Sequence, residues 1–385
     1  MNDWLVIFLG SITLLIYTYF GYPLLIWLWA RAQKSAKPEE RRYMEPFITL
    51  IVVAYNEAEY ITQKLENLLD LDYPWDHLEI LIASDGSSDA TAELARAYRS
   101  PFVRVIEFRH RRGKSAVLND VIPMSRGEIV VLADVRQRFE AGTLHALADN
   151  FADPSVGAVS GDLIILEGGD RSEIGKGVDF YWRYEKFMRR YESQIDSTVG
   201  VTGSIYALRR PLFRAIPEST ILDDVLIPMQ IVRQGYRVLF EPRARAYDWT
   251  SATARAEFVR KIRTIAGNFQ LFFTEGWLYN PFANRLWLQT FSHKACRLLS
   301  PACLVAVFLS NCALVLEDAI YIWLLVAQIL FYAAAYLGFL NRSARRRPFL
   351  LNIPFAFCVL NWATVIAFVR LINRQQRVTW ERSRG

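Results

Sequence analysis

Cysteine is scarce in this chain, and the positions of its few copies argue against two kinds of site. The four cysteines among the 385 residues all lie in the apolar C-terminal region, at Cys296, Cys303, Cys312 and Cys358. None belongs to a Cys-x-x-Cys pair, which argues against a disulfide framework and against a zinc site. We interpret them as small apolar side chains within membrane helices.

Signals for nucleic-acid binding are also absent. The net charge is +6, but no RNA- or DNA-binding motif accompanies the basic residues, and the chain has no internal repeat or low-complexity stretch. The arginines and lysines instead border apolar segments, as the topology of a membrane protein would require. We therefore expect a lipid bilayer, and no nucleic acid, among the partners of this protein.

The apolar residues, which make up 52% of the chain, are concentrated at its two ends. Trp4–Ala30 is almost uncharged and exceeds the ~20 residues that a membrane helix needs. A cleaved signal peptide fits poorly, because Asp3 replaces the usual positive charge and the apolar run is too long. Basic residues follow at Arg31, Lys34, Lys37, Arg41 and Arg42. This positive charge places the domain that follows in the cytoplasm and the protein in the cell (inner) membrane.

Three further apolar segments lie in the C-terminal part of the chain. Leu298–Leu316 and Ala319–Leu340 are separated by an acidic pair, and Phe349–Ile372 follows a cluster of arginines. An acidic turn outside and arginines inside agree with a cytoplasmic central domain. If the third segment spans the membrane, four arginines end up outside, at Arg374, Arg377, Arg382 and Arg384. A re-entrant course is therefore an alternative to the spanning helix that we favour.

Strands and helices alternate in the first half of the central region. The continuous apolar runs typical of buried parallel strands are Phe47–Ala54, Leu78–Ala83, Phe102–Phe108 and Ile129–Ala133. Stretches with helical spacing separate them. This alternation predicts βαβ units and an α/β fold, a Rossmann-like domain with a mostly parallel sheet.

The second half of the region is less regular. It predicts helices over Val178–Ser193, Asp224–Gln234 and Thr253–Phe273, and strands over Val199–Leu208 and Tyr236–Glu241. The resulting division is an N-terminal membrane helix (1–30), a linker (31–46), a soluble domain (47–275), a segment at the membrane interface (276–295), C-terminal membrane helices (296–372) and a basic tail (373–385).

Three aspartates stand where a ligand is expected. Asp85 follows the second predicted strand, Asp134 follows the fourth, and Asp224 begins a predicted helix. In an open parallel sheet, ligands bind outside the carboxyl ends of the strands. Carboxylates there suit a nucleotide, a metal ion or a proton transfer. A turn and a helix cap are alternative reasons for Asp85 and Asp224.

An ordered set of short motifs resembles the inverting family-2 glycosyltransferases, in particular the membrane-embedded bacterial polysaccharide synthases. The motifs are Val53-Ala54-Tyr55-Asn56-Glu57, Asp85-Gly86-Ser87-Ser88-Asp89, Gly113-Lys114 with Asn119, Asp134, Gly203 and Asp223-Asp224. Each is weak alone, but their order and spacing over residues 46–275 are specific. The resemblance implies a GT-A fold, flanked by one N-terminal and about three C-terminal transmembrane helices, and a UDP-sugar-dependent hexosyltransferase.

The resemblance also implies roles on the donor side. Asp85 is expected to contact the uridine in a crevice that it forms with Tyr55, and Glu57 and Lys114 are expected to lie nearby. Ala54 is also a predicted substrate-binding residue. Asp134 matches the first acid of the family's Asp-x-Asp motif, which holds Mg²⁺ or Mn²⁺ against the diphosphate. Arg136 stands in place of the second acid. Either one carboxylate holds the ion, or Arg136 itself neutralises phosphate and reduces the need for a metal.

On the acceptor side, Asp224 matches the family's general base, with Asp223 beside it. A useful base needs a pKa above the ordinary ~3.9 of aspartate, raised by burial or by a neighbouring charge. The other residues expected on this side are Trp182, Tyr184, Glu185, Gly203 and Ser204. A core role for the aromatic members is an equally open alternative.

The segment Arg260-Lys261-Ile262-Arg263-Thr264 aligns with the family's Gln-x-x-Arg-Trp motif. Arg260, Lys261 and Arg263 are predicted to bind substrate, because guanidinium groups suit a diphosphate. A solvated face or a contact with anionic lipid is the alternative for these three cations. Thr264 replaces the tryptophan that packs against the acceptor sugar in processive synthases.

Together these features predict a membrane-bound inverting glycosyltransferase. It would transfer sugar from a UDP-sugar to a glycan or lipid-linked acceptor in cell-surface polysaccharide synthesis. One alternative is a non-catalytic, sugar-nucleotide-binding scaffold, which Arg136 and Thr264 motivate. A transporter is another, but too few charges lie mid-membrane to form a solute pathway. A polymer pore would need further helices, from a homo-oligomer or an export partner.

Overall fold

The computed structural model describes residues 2–33, 44–166, 173–249, 254–341, 349–373 and 375. Most of the predicted linker and basic tail lies outside these residues. The same holds for the basic residues at Lys34, Lys37, Arg41, Arg42, Arg342, Arg345, Arg346, Arg347, Arg374, Arg377, Arg382 and Arg384.

A long apolar helix opens the chain. α1 (Asp3–Ile16) and α2 (Tyr22–Ala32) are joined by a π-helical turn and together form a helix of 30 residues, long and apolar enough to cross a membrane. The Asn2 side chain accepts a hydrogen bond from the Trp4 backbone N–H and caps its first turn.

The central domain contains one eight-stranded sheet in the order β3-β2-β1-β4-β7-β6-β8-β5. The strands are β1 (Ile48–Ala54), β2 (Leu78–Asp85), β3 (Val103–Phe108), β4 (Ile129–Ala133), β5 (Arg138–Phe139), β6 (Val156–Leu166), β7 (Ile205–Arg209) and β8 (Arg237–Trp249). The pairs β1–β2, β1–β4, β2–β3 and β6–β8 are parallel. β7 is antiparallel to β4 and β6, and β5 to β8. The predicted α/β fold with a mostly parallel sheet is confirmed.

Helices cover both faces of this sheet. They are α3 (Ile61–Leu69), α4 (Thr91–Ala97), α5 (Lys114–Met124), α6 (Thr143–Ala148), α7 (Glu173–Ile195), α8 (Asp223–Arg233) and α9 (Ala254–Thr274). Successive residues of β1 point to opposite sides, so that Leu50 and Val52 belong to one core while Ile51 and Val53 belong to the other. Burial on both sides explains why the strand is apolar throughout.

The C-terminal helices are α10 (Trp287–Thr290), α11 (Cys296–Leu314), α12 (Ala319–Leu340) and α13 (Phe349–Ile372). The candidate membrane spans among them are Trp287–Leu314, Ala319–Leu340 and Leu350–Ile372. One N-terminal and three C-terminal apolar helices therefore flank the domain, as predicted. The first C-terminal span begins inside the segment that the sequence assigned to the membrane interface.

Two contacts attach these helices to the rest of the chain. α11 packs along α1, where Phe8 meets Val307 and Leu314. α13 packs against α9, and the ring centroids of Phe269 and Phe368 lie 5.2 Å apart. α9 therefore connects the last apolar helix to the central domain.

The second half of the domain departs from the sequence prediction. β7 covers only Ile205–Arg209, because the residues before it form a loop in which the Val201 N–H donates to the Asp224 carbonyl at 2.8 Å. β8 continues beyond Glu241 to Trp249, past Pro242, by pairing with β6 across a register shift. A proline inside a pattern normally indicates the end of a strand, which is why the prediction stopped there.

Candidate active site

Asp85, the last residue of β2, is buried and fixes the loop that precedes α5. Its two carboxylate oxygens accept hydrogen bonds from the backbone N–H groups of Arg112, at 2.7 Å, and Gly113, at 2.8 Å. Gly86 follows with φ +64°, and a Cβ there would collide with the backbone nitrogen of Arg111. The loop therefore lies directly against the end of β2, and glycine is required at the contact.

Arg111 of this loop contacts the ring of Tyr55. The guanidinium carbon of Arg111 lies 3.7 Å from the centre of the Tyr55 ring, in a cation–π contact. Tyr55, Asp85, Arg111 and Gly113 are called the Asp85 cluster below. Sequence reasoning missed Arg111, whose only signal is the basic run at the end of β3.

Glu57 and Arg136 form an ion pair outside this cluster. Two guanidinium nitrogens of Arg136 donate to the two carboxylate oxygens of Glu57, at 3.3 and 3.4 Å. Glu57 is buried and Arg136 is partly exposed. Arg136, which stands in place of the second acid of the Asp-x-Asp motif, is thus held by Glu57, 79 positions earlier in the chain.

Lys114 lies at the centre of a second group of charges. Its Nζ is 2.8 Å from Asp134 Oδ1, 3.8 Å from Asp223 Oδ2 and 3.3 Å from the Gly203 carbonyl oxygen. Burial favours the neutral amine, but the carboxylates of Asp134 and Asp223 outweigh it and raise the pKa of Lys114. Lys114 is therefore a fixed cation between two acids.

Asp224 lies in the first turn of α8, with its carboxylate over Gly203. Burial and the neighbouring charge of Asp223 raise the pKa of Asp224 to about 6, against the opposing charge of Lys114. Burial lowers the pKa of the Arg263 guanidinium, whereas the charges of Asp223, Asp224 and Asp134 act in the opposite direction. Lys114, Asp134, Gly203, Asp223, Asp224 and Arg263 are called the Asp224 cluster below.

The contact between Gly203 and Asp224 gives a prediction. A Cβ at position 203 would lie 3.0 Å from Asp224 Oδ2 and 3.2 Å from Asp224 Cβ, so Gly203→Ala must push the carboxylate aside. Because small misplacements of a reacting group are costly, we expect kcat to fall roughly tenfold to a hundredfold. Gly142→Ala is the matched control, since nothing lies within 4 Å of its added Cβ. Equal kcat values for the two variants would contradict the prediction.

Several predicted residues lie elsewhere. Arg260 is exposed and pairs with Glu257 on its own helix at 3.6 Å. Lys261 lies 5.5 Å above the Trp182 ring. Ala54 ends β1 and is fully buried. Glu185 is buried and bonded to side chains of the first C-terminal membrane span, so it does not line an open cleft.

Tyr206 on β7 is a residue that sequence reasoning missed. Its hydroxyl is buried and has no hydrogen-bond partner in the described part of the chain. Burial, together with the charges of Asp223, Asp224 and Asp134, raises the pKa of Tyr206. A neutral phenol therefore lies beside the acids. Its only signal in the sequence is a tyrosine within an apolar run.

A divalent ion can be held here by one carboxylate. The described residues contain no group of three or more His, Cys, Asp and Glu side chains that could form a metal site. Asp134 is 44% exposed and uses Oδ1 for Lys114, which leaves Oδ2 without a partner among the described residues. Asp134 therefore fits as the single protein ligand of an ion whose other ligands are phosphate and water.

Comparison with known proteins finds a matching family model and similar proteins. Residues 49–216 match the model of glycosyl transferase family 2. The poly-beta-1,6-N-acetyl-D-glucosamine synthase of Staphylococcus aureus (strain COL) is 26% identical over 231 residues, which are 58% of this chain and 55% of that protein. The synthase of the same name from Staphylococcus epidermidis is 23% identical over 236 residues, 60% of this chain and 56% of that protein. The matches thus span a little over half the length of these relatives.

Among solved structures, the mannosyltransferase PcManGT from Pyrobaculum calidifontis, in complex with GDP-Man and Mn²⁺, superposes with a TM-score of 0.73 and 25% identity. The alignment covers 95% of this chain and 99% of that one. The central domain thus has a GT-A fold. Its residues 49–216 match glycosyl transferase family 2, and the chain resembles the bacterial polysaccharide synthases.

Proposed function

We propose that this protein is a membrane-bound, inverting glycosyltransferase that transfers sugar from a nucleoside diphosphate sugar to a hydroxyl group of a glycan or lipid-linked acceptor. The observation that supports it most strongly is the environment of Asp224. Its carboxylate is held over Gly203 beside two other acids and a lysine, and its pKa is raised to about 6. A general base is most effective when its pKa lies near the working pH.

In this proposal Asp224 removes the proton from the acceptor hydroxyl. The freed oxygen forms a bond with the anomeric carbon from the face opposite the diphosphate, and the bond between that carbon and the diphosphate breaks. The proton stays on Asp224 until solvent takes it. Attack from the opposite face inverts the anomeric configuration.

The donor occupies both clusters. Tyr55, Arg111 and the loop held by Asp85 bind the nucleoside, since a ring and a guanidinium plane suit a base. Lys114 and Arg263 place positive charge beside the leaving diphosphate, which stabilises the transition state. A Mg²⁺ or Mn²⁺ ion on Asp134 would neutralise further charge there. Arg136 is engaged with Glu57, so we assign the diphosphate to Lys114 and Arg263 first.

The choice of nucleotide has two candidates. The motif order resembles synthases that use UDP-sugars, which favours UDP. The structural similarity to PcManGT, which was solved with GDP-Man, extends over nearly the whole chain and favours GDP. We propose UDP as the donor nucleotide and keep GDP as the second candidate, to be separated by assay.

The membrane placement is also proposed. Four apolar helices and the likeness to polysaccharide synthases support a multi-pass membrane protein. Basic residues after the first helix favour a catalytic domain in the cytoplasm and location in the inner membrane. There the active site would meet soluble nucleotide sugars on one side and lipid on the other.

The non-catalytic scaffold is the main competing function. Arg136 and Thr264 still motivate it, and the Thr264 hydroxyl donates to the Arg260 carbonyl on its own helix. The intact Asp224 cluster weighs against it, because a binding scaffold has no use for a carboxylate with a raised pKa. The two functions differ in one observable, which is turnover of the bound nucleotide sugar.

The deciding experiment is a transfer assay in membranes that contain the protein. We would supply radiolabelled UDP- and GDP-sugars in parallel, each with Mn²⁺ or with EDTA, and separate products by size. We expect label from one donor to enter a glycan or lipid product, and EDTA to lower the yield. Nucleotide binding without transfer from any donor would instead support the scaffold.

A further inference from the structure

A network of buried charges joins α7 to the membrane helices. His293, in the turn before α11, is fully buried, and its two ring nitrogens lie 2.9 Å from carboxylate oxygens of Glu192 and Glu185. Arg297 also donates to Glu185, and the Tyr22 hydroxyl donates to Glu192 at 2.7 Å. A carboxylate therefore faces each ring nitrogen of His293.

Two further cations at this junction lack an anion. Lys294 makes no hydrogen bond or ion pair with any residue in the described ranges. Arg189 lies on α7 between Glu185 and Glu192 and donates to the Thr202 hydroxyl. Its buried Nε has no acceptor among the described residues.

The two carboxylates of the junction already have partners. Glu185 contacts His293 and Arg297, and Glu192 contacts His293 and Tyr22. Arg189 and Lys294 are left as two cations that no carboxylate of the described residues contacts. An unpaired cation in a half-buried site is unfavourable, and an anion from outside the chain would remove this cost.

Both cations lie within electrostatic reach of Asp224. Thr202, which Arg189 contacts, directly precedes Gly203 and its neighbour Asp224. The positive charges of Arg189 and Lys294 also act on the Asp224 carboxylate. Lys294 itself belongs to a π-helical turn, Phe291–Ala295, at the start of a candidate membrane span. Such turns are frequent at functional sites.

We propose that Arg189 and Lys294 bind the phosphate group of a lipid-linked acceptor and so present a hydroxyl of that acceptor to Asp224. Arginine and lysine are the two side chains that recognise phosphate, the first by its donor fork and the second as a point charge. The lipid chain would lie along the adjacent membrane helices. This inference rests on the proposed function, since it names the class of acceptor for the same active site.

The test uses the full-length protein in phosphatidylcholine nanodiscs. Farnesyl phosphate and farnesol are probes that share one chain and differ only in the phosphate. We expect farnesyl phosphate to bind the wild type about tenfold or more tightly than farnesol. Lys294→Gln and Arg189→Gln should each remove most of that difference. Arg190→Gln is the matched control, because it removes the same charge from an exposed neighbour on α7.

Three results would overturn the proposal. The first is equal binding of the two probes to the wild type. The second is a Lys294→Gln variant that binds farnesyl phosphate as the Arg190→Gln control does. The third is full competition by inorganic phosphate or by phosphatidylglycerol, which would assign the site to free phosphate or to bulk lipid. Nucleotide binding, measured on the same variants, reports on the proposed function separately, because the nucleoside is assigned to the Asp85 cluster. We expect the Kd of the nucleotide to change by no more than about twofold.

Discussion

Replacing Asp224 by asparagine is expected to abolish sugar transfer while nucleotide binding stays intact. The amide has the same shape as the carboxylate but cannot accept the proton of the acceptor hydroxyl. Positioned bases contribute about 10² to 10⁴ in rate, so we expect kcat to fall on the order of a thousandfold. The nucleotide should still bind, because the nucleoside is assigned to the Asp85 cluster. Initial rates of transfer and the Kd for the nucleotide check both parts.

Asp76→Asn is the control for Asp224→Asn. Asp76 is 82% exposed and lies in a short turn before β2, where it makes a 4.0 Å contact with His77. The same chemical change at that position should leave transfer unaltered. A kcat for Asp224→Asn within threefold of the wild type would exclude Asp224 as the base.

Asp85→Asn is expected to raise the KM for the donor roughly tenfold to a hundredfold, with a much smaller effect on kcat. The carboxylate accepts two backbone N–H bonds, from Arg112 and Gly113. Asparagine has one oxygen and one NH₂ group, so one backbone N–H would face another donor. A lost hydrogen bond to a charged group costs about 1.5–3 kcal/mol, and each 1.4 kcal/mol is tenfold in affinity. The loop and Arg111 would then lose their place beside Tyr55.

Asp89→Asn separates this effect from a general weakening of the turn. Asp89 Oδ1 accepts the Thr91 N–H at 3.0 Å in the turn before α4, and such a turn is the alternative that the sequence left open for this motif. We expect Asp89→Asn to lower the melting temperature but to leave the donor KM nearly unchanged. If Asp85→Asn shows that same pattern, Asp85 has a structural role and does not support the nucleotide site.

The sequence was a good guide to the first strands and to the acids at their ends. Each motif there is local, since an apolar run is followed at once by its polar residues, as in β2 and Asp85. β6 was missed, because Gly157, Gly161 and Asp162 interrupt the apolar run that would have indicated a buried strand. Gly161 is fixed by contacts with Ala244 and Ile205, which no local pattern contains.

The contacts that the site side chains make were harder to predict from the sequence than the places of these residues in the fold. Lys114 was expected beside the uridine, yet its ammonium group pairs with Asp134 while only the preceding backbone reaches Asp85. Arg136 was considered as a phosphate ligand, but the fold places Glu57 beside it.

Glu185 was expected to line the acceptor side. It bonds instead to His293 and Arg297, which come from a membrane segment more than 100 positions later. Such pairings depend on the tertiary fold.

The pH dependence of transfer, measured for the wild type and for Asp223→Asn, tests the assignment of Asp224 as the base most directly. A base acts only when it is ionised, so with a pKa of about 6 the wild-type rate should fall tenfold per unit below that pH and level off above it. Asp223→Asn removes a negative neighbour, which lowers the pKa of Asp224 and moves the acid limb to lower pH. A wild-type profile that is flat between about pH 5 and 8, or an acid limb that Asp223→Asn does not move, would contradict the assignment.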